Sequence, residues 1–130
     1  MSQENVELVR RGFEDLMRTG HPPWDMIDQG VEVHDHDSPD QGTYDGHAGL
    51  LRWLGDWDSA WETWSIEPEE FRDAGHRVVA VLRMTVRGEG SGLELERQEG
   101  HVWTVRSGQA VRLNVYGSRA EALEAVGLRE

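Results

Sequence analysis

The chain has 130 residues, 37% of them hydrophobic and 29% charged, and carries 25 acidic against 13 basic side chains for a net charge of -12. That length suits one ordinary domain with its own core, so residues 1–130 are expected to fold as a single unit. The acidic balance excludes nucleic acid as a partner, no apolar run approaches the roughly 20 residues of a membrane span, and the lack of Cys excludes disulfides and thiolate metal sites.

The N-terminal MSQENVELVRR has no basic segment followed by an apolar one, so no signal peptide is expected and a cytoplasmic address follows. All basic residues are Arg, which removes lysine Schiff-base chemistry. From Ser2, an N-cap residue, Val6, Val9, Phe13, Leu16 and Met17 recur at helical spacing up to Gly20. PPWDMIDQG then predicts two helical turns with Trp24 and Ile27 inward and Gly30 as the stop. VEVHD alternates with period two and begins a strand. SPDQGTYDG has the composition of a loop, and HAGLLRWLGDWDSAW restores helical spacing through Leu50, Trp53, Leu54, Trp57 and Trp61.

Four strands are predicted next, in WSIEPEEFRDAG, HRVVAVLRMTVRG, LELERQEGHVWTV and AVRLNVYG, joined by short turn signals that make neighbours antiparallel. SRAEALEAVGL closes the chain as a short helix, with Ser118 and Glu121 spaced as a capping box. This order predicts an α+β domain with helices on one side of a twisted sheet, and a sheet that curls around helices encloses a ligand cavity.

The segments YDGHAGL, IEPEEFRDAGHRVVAV and GHVWTVRSGQAVRLNVYGSRAEAL resemble SnoaL-like proteins of the nuclear transport factor two superfamily over nearly the whole chain. The resemblance implies a cone-shaped, mainly antiparallel sheet wrapped around N-terminal helices, a cystatin-like α+β barrel with one internal pocket, and a homodimer. That fold serves isomerases, cyclases, dehydratases and non-catalytic binding modules alike. Compared with the ketosteroid isomerase branch, Asp35 matches the base that follows a short apolar strand, and His101 stands where that branch has a protonated Asp. The first-helix Tyr of that branch has no counterpart, since Gly12 and Phe13 occupy the region. Cyclase members carry a late-strand acid where this chain has His101.

The cluster HDHD invites a metal reading, because His34 and His36 lie two apart on one strand face, with Asp40 and Gly46 following at a spacing that hints at a cupin. Strand parity opposes it: Val31 and Val33 define the inward face, which Asp35 continues while both histidines point away. No metal is therefore expected. With no Gly-rich phosphate loop and no nucleophilic Cys either, no cofactor is implied.

Asp35 and His101 are the candidate catalytic pair, Asp35 as a base tuned by an apolar cavity and His101 as an acid or oxyanion donor on the face of Trp103 and Val105. The competing structural reading makes Asp35 a turn cap and His101 a satisfied core residue. Trp24, Tyr44, Trp53, Trp57, Trp103 and Asn114 are the candidate pocket residues. For them too a plainer role stays open: Trp53, Trp57 and Trp61 as the core face of a helix, Tyr44 as a loop anchor, Asn114 facing solvent. Arg83 is expected to face outward and the EPEE run to be solvated. Two functions remain: a cofactor-free cyclase, isomerase or dehydratase working by acid-base chemistry on a small hydrophobic carbonyl compound, or a non-catalytic ligand-binding or protein-interaction module.

Overall fold

A computed structural model of the chain describes residues 2–37 and 42–129, so Asp40 and the SPD turn lie outside the described residues, as does the Ser2 side chain. Helix α1 spans Ser2–Thr19 and buries Val6, Val9 and Phe13. Gly20 ends it in the left-handed region at φ 84°, donating its N–H to Leu16 O at 2.8 Å. Glycine reaches that conformation without steric cost, which is why it closes helices.

The next segment departs from expectation. Only Trp24–Met26 forms a helical turn, of the tight 3-10 kind, and strand β1 runs Ile27–Asp35. Pairing with a distant strand recruits Ile27, opposite Ala110, before a second helical turn can form. Strand β2, Thr43–Asp45, lies in what reads as loop and pairs antiparallel with β1, Tyr44 opposite Val33. Helix α2 is Gly46–Ala60, followed by β3 Thr63–Ala74, β4 Arg77–Arg87, β5 Glu94–Arg106, β6 Gln109–Tyr116 and helix α3 Arg119–Ala125. Ser118 caps α3, its hydroxyl oxygen accepting from Glu121 N–H at 3.2 Å.

The strands form one six-stranded sheet in the order β2-β1-β6-β5-β4-β3. It is mixed, because β1 and β6 run parallel while the other neighbours are antiparallel. The closed cone with one internal pocket is thereby corrected. The sheet is open, with β2 and β3 as free edges, and the described residues line two separate concavities.

Strand alternation divides the core. On the inner face, α1 packs its Val6, Val9 and Phe13 on Val78, Ala80 and Leu82 of β4, and α2 packs Leu50 and Trp53 on Val31, Val33, Leu113 and Val115. The odd residues of β4, Val79 and Val81, face the opposite way and receive Ala122 and Leu123 of α3. Helices therefore cover both sides of β4, correcting the one-sided arrangement; each Val or Leu so buried contributes roughly 2 kcal/mol. Arg83 is exposed and pairs with Glu67 at 2.7 Å. Among the described residues, no helix is long and apolar enough to cross a membrane.

Candidate functional site

Strand β5 lies between β4 and β6, so its inward residues are surrounded on both sides by core. Glu99 stands opposite Leu82, His101 opposite Ala80 and Val115, and Trp103 opposite Val78 and Leu113. Period-two alternation puts Glu99, His101 and Trp103 on one face. The intervening Gly100 faces α3, where a Cβ would lie 2.6 Å from Ala122 Cβ and 2.7 Å from Ser118 O. Only glycine lets α3 approach this closely.

The inward face of β5 forms one wall of an apolar cavity closed by Phe13 and Leu16 of α1, by Pro22, Pro23 and Met26, and by Leu50, Trp53 and Trp57 of α2. Its free volume of ≈ 80 Å³ exceeds several times the roughly 10–15 Å³ one water requires. Glu99 and His101 are the ionisable residues in its lining, and they are 1% and 4% exposed. Glu99 Oε1 lies 2.8 Å from His101 Nε2. The imidazole is ringed by Phe13, Trp53 and Trp103 at centroid separations of 6.0, 6.1 and 6.4 Å.

Three polar atoms of this wall, Glu99 Oε2, His101 Nδ1 and Trp103 Nε1, are buried and meet no hydrogen-bond partner among the described residues. Most buried polar atoms in proteins are paired, and those that are not call for a functional explanation. All three belong to residues that line the apolar cavity, and this is the feature that singles it out.

Asp35 faces a second concavity on the far side of Trp53, together with Asp37, Tyr44, Asp56, Trp57, Trp61 and Arg97. Asp35 is only 8% exposed, and its carboxylate is held in place. Oδ2 accepts the Trp53 indole N–H at 2.9 Å and Oδ1 accepts the Asp37 backbone N–H at 3.0 Å. Asp37 pairs with Arg97, whose guanidinium also sits 5.9 Å from the Trp57 ring centre. Burial pushes the Asp37 carboxyl up from its ordinary pKa, and Arg97 opposes the rise. The Tyr44 hydroxyl donates to Asp56 at 3.2 Å, and burial, then this bond, pushes its pKa up. The polar groups of this second concavity largely satisfy one another, in contrast to the orphans beside His101.

The residues singled out in the sequence thus divide. His101 and Trp103 line the apolar cavity, Asp35 and Tyr44 the second concavity, and Trp53 and Trp57 form the partition between them. Trp24 packs against the α2 core and meets the His47 ring at 4.8 Å, tilted by 38°, without lining either space. Asn114 is on the outer face, where its Oδ1 lies 2.9 Å from His36 Nε2. His34 contacts Glu32 at 2.9 Å, and His36 stacks on Tyr116 at 4.8 Å, so neither histidine joins Asp35. Sequence reasoning missed Glu99. The signal was present in RQEGHVWTV, since residue 99 has the parity of His101 and Trp103.

The SnoaL-like domain family matches residues 9–113. No curated protein matches the chain. Among solved structures, TerC, co-crystallised with polyporic acid, is 23% identical with a TM-score of 0.76, the match covering 95% of this chain and 98% of TerC. An NTF2-like protein of unknown function from Burkholderia pseudomallei is 22% identical with a TM-score of 0.77 and the same two coverages, 95% and 98%. An NTF2-like protein from Burkholderia xenovorans is 26% identical with a TM-score of 0.73, covering 98% of each chain. With its inner-face helices, mixed sheet and apolar cavity, the chain belongs to the SnoaL-like family of the NTF2-like, ketosteroid isomerase-like superfamily.

Proposed function

We propose that the apolar cavity binds a small hydrophobic carbonyl compound and that the Glu99–His101 pair moves a proton on it, giving a cofactor-free isomerase, cyclase or dehydratase. The observation that carries the reading is a hydrogen-bonded acid-base pair, Glu99 and His101, in the lining of an otherwise apolar cavity. A histidine within reach of a carboxylate is a competent acid or base near neutral pH, and such groups contribute on the order of 100-fold or more to rate. In this reading Asp35 is a positioning residue: by accepting the Trp53 N–H it fixes the indole that forms the cavity wall. The fold shared with TerC supports a small organic ligand.

A second reading is favoured by one specific feature. With Asp35 on the other side of Trp53, the cavity has a single acid-base centre instead of two opposed ones, which suits a binding module without chemistry. The experiment that separates them is a turnover screen with aryl ketones and hydroxy ketones, followed by kinetics of Glu99→Gln. A loss of about 100-fold in kcat supports catalysis; binding by tryptophan fluorescence without turnover of any compound assigns the binding module. A cytoplasmic homodimer completes the proposal, and light scattering that returns the 14.8 kDa monomer mass at micromolar concentration removes the dimer.

A further inference from the structure

Helix α1 carries a glycine in its interior, Gly12, and its backbone does not call for one. Gly12 lies outside the left-handed region that Gly20 and Gly46 occupy. Glycine is a poor helix former, because it gives up the most conformational freedom on folding. Close packing does not demand it either. Beyond its chain neighbours and its own helix backbone, a Cβ at Gly12 would meet no heavy atom within 4 Å among the described residues, whereas one at Gly100 would collide with α3. An isolated glycine inside a helix then directs attention to the space beside it.

That space belongs to the apolar cavity. Leu8, Gly12 and Leu16 are four residues apart and share one stripe of α1, and all three line the cavity. The two leucines flank a notch whose floor is the bare Cα of Gly12. We infer that Gly12 sets the size of ligand the cavity admits: an apolar ring of the ligand lies in the notch, and a side chain at residue 12 would take its place. The inference rests on the apolar cavity being the ligand site. To that reading it adds a specificity-determining residue and the class of ligand selected, a carbonyl compound with two fused rings in preference to one. Affinity rises about fourfold for each methylene removed from water, so filling the notch cancels the gain only for the part of a ligand that reaches it. Gly55, inside α2, supplies the control: a Cβ there is equally unobstructed, but the residue is exposed and does not line the cavity.

Titration calorimetry of the full chain with acetophenone and 2-acetylnaphthalene, which differ by one fused ring, tests this alongside urea unfolding without ligand. The parent is expected to bind the naphthyl ketone about tenfold more tightly than acetophenone. Gly12→Ala and Gly55→Ala both raise the urea midpoint, as alanine does in a helix interior. Gly12→Ala weakens the naphthyl ketone about fourfold, Gly12→Leu abolishes its advantage, and both keep acetophenone close to its parent affinity. Gly55→Ala alters neither ketone. A merely structural glycine would not yield a more stable protein that selects the smaller ligand. The inference is overturned, with the cavity reading intact, if the parent binds acetophenone as tightly as the naphthyl ketone, if both bind and the residue-12 variants leave their ratio unchanged, or if Gly12→Ala lowers the urea midpoint. If Gly12→Leu does not fold, Gly12→Ala decides alone. If neither ketone binds the parent, the cavity reading fails and the inference falls with it.

Discussion

Glu99 and His101 approach to 2.8 Å while 1% and 4% exposed, so the two are hydrogen-bond partners inside an apolar wall. Removing one member leaves its partner buried and unpaired, which costs about 3 kcal/mol for a charged group. His101→Ala is therefore expected to lower stability by about that amount in urea titrations. The double variant Glu99→Leu with His101→Phe recovers most of the loss, because apolar replacement of both removes the desolvation cost. A double variant no more stable than the single one contradicts the pairing.

Gly100 sits between these two residues with its back to α3, and an added Cβ meets the Ser118 carbonyl oxygen at 2.7 Å. Backbone atoms of a capped helix have little room to retreat. Gly100→Ala is expected to destabilise by about 2 kcal/mol, the typical cost of overpacking, and to weaken ligand binding by displacing the strand that carries Glu99 and His101. An unchanged urea midpoint would show that α3 does not press on β5.

Much of this was legible in the sequence where the signal is local. Alternation in VEVHD turned Asp35 inward and the two histidines outward, and Gly20, Ser118 and Glu121 marked helix ends that the structure keeps. What escaped is long-range. The parallel partnership of β1 with β6 joins Ile27 to Ala110 and Asp35 to Val115, and no local pattern announces it. That pairing pulled Ile27–Gly30 out of the predicted helix, and pairing with β1 gave TYD its strand. Over Val78, Val79, Ala80, Val81 and Leu82 the two faces of β4 are apolar alike, so alternation could not reveal that α3 covers the outer one. The separation of Asp35 from His101 depends on where the Trp53 indole lies, a matter of packing and not of spacing.

Asp35 and Trp53 make a separable prediction. Asp35→Ala leaves a buried indole N–H without its acceptor and is expected to cost about 2 kcal/mol, with a changed tryptophan emission spectrum. Asp35→Asn keeps one oxygen for Trp53 but turns an amide NH2 toward the Asp37 N–H, so it is expected to lose about 1 kcal/mol, less than the alanine variant, and to keep ligand affinity close to that of the parent. A turnover abolished by Asp35→Asn, with folding and binding intact, would make Asp35 the base and contradict its positioning role.

Glu70 ties β3 to α3 through two hydrogen bonds from Arg119, at 2.7 and 3.2 Å, and these, with Arg72, hold its pKa below the ordinary glutamate value. In the unfolded chain the carboxyl takes up a proton at higher pH than in the folded one. Its stabilisation is thus present above the ordinary glutamate pKa and is lost as pH falls through the lowered folded value. Glu70→Gln should cost about 1 kcal/mol or less at neutral pH, as partly exposed pairs do. The deficit should close on acidification through that window. A deficit that grows with acid would contradict the sign.

The central claim, that the cavity beside His101 receives the ligand, is tested most directly by the indole N–H resonances of the six tryptophans during titration with acetophenone. Trp53 and Trp64 already donate, to Asp35 at 2.9 Å and Asp58 at 3.1 Å, whereas Trp103 has no acceptor among the described residues. The Trp103 signal, assigned by its loss in Trp103→Phe, is predicted to move farthest because its ring lines the cavity, while that of Trp24, outside both concavities, stays in place. A titration that saturates with Trp61 shifted and Trp103 unmoved would put the ligand in the second concavity and contradict the account.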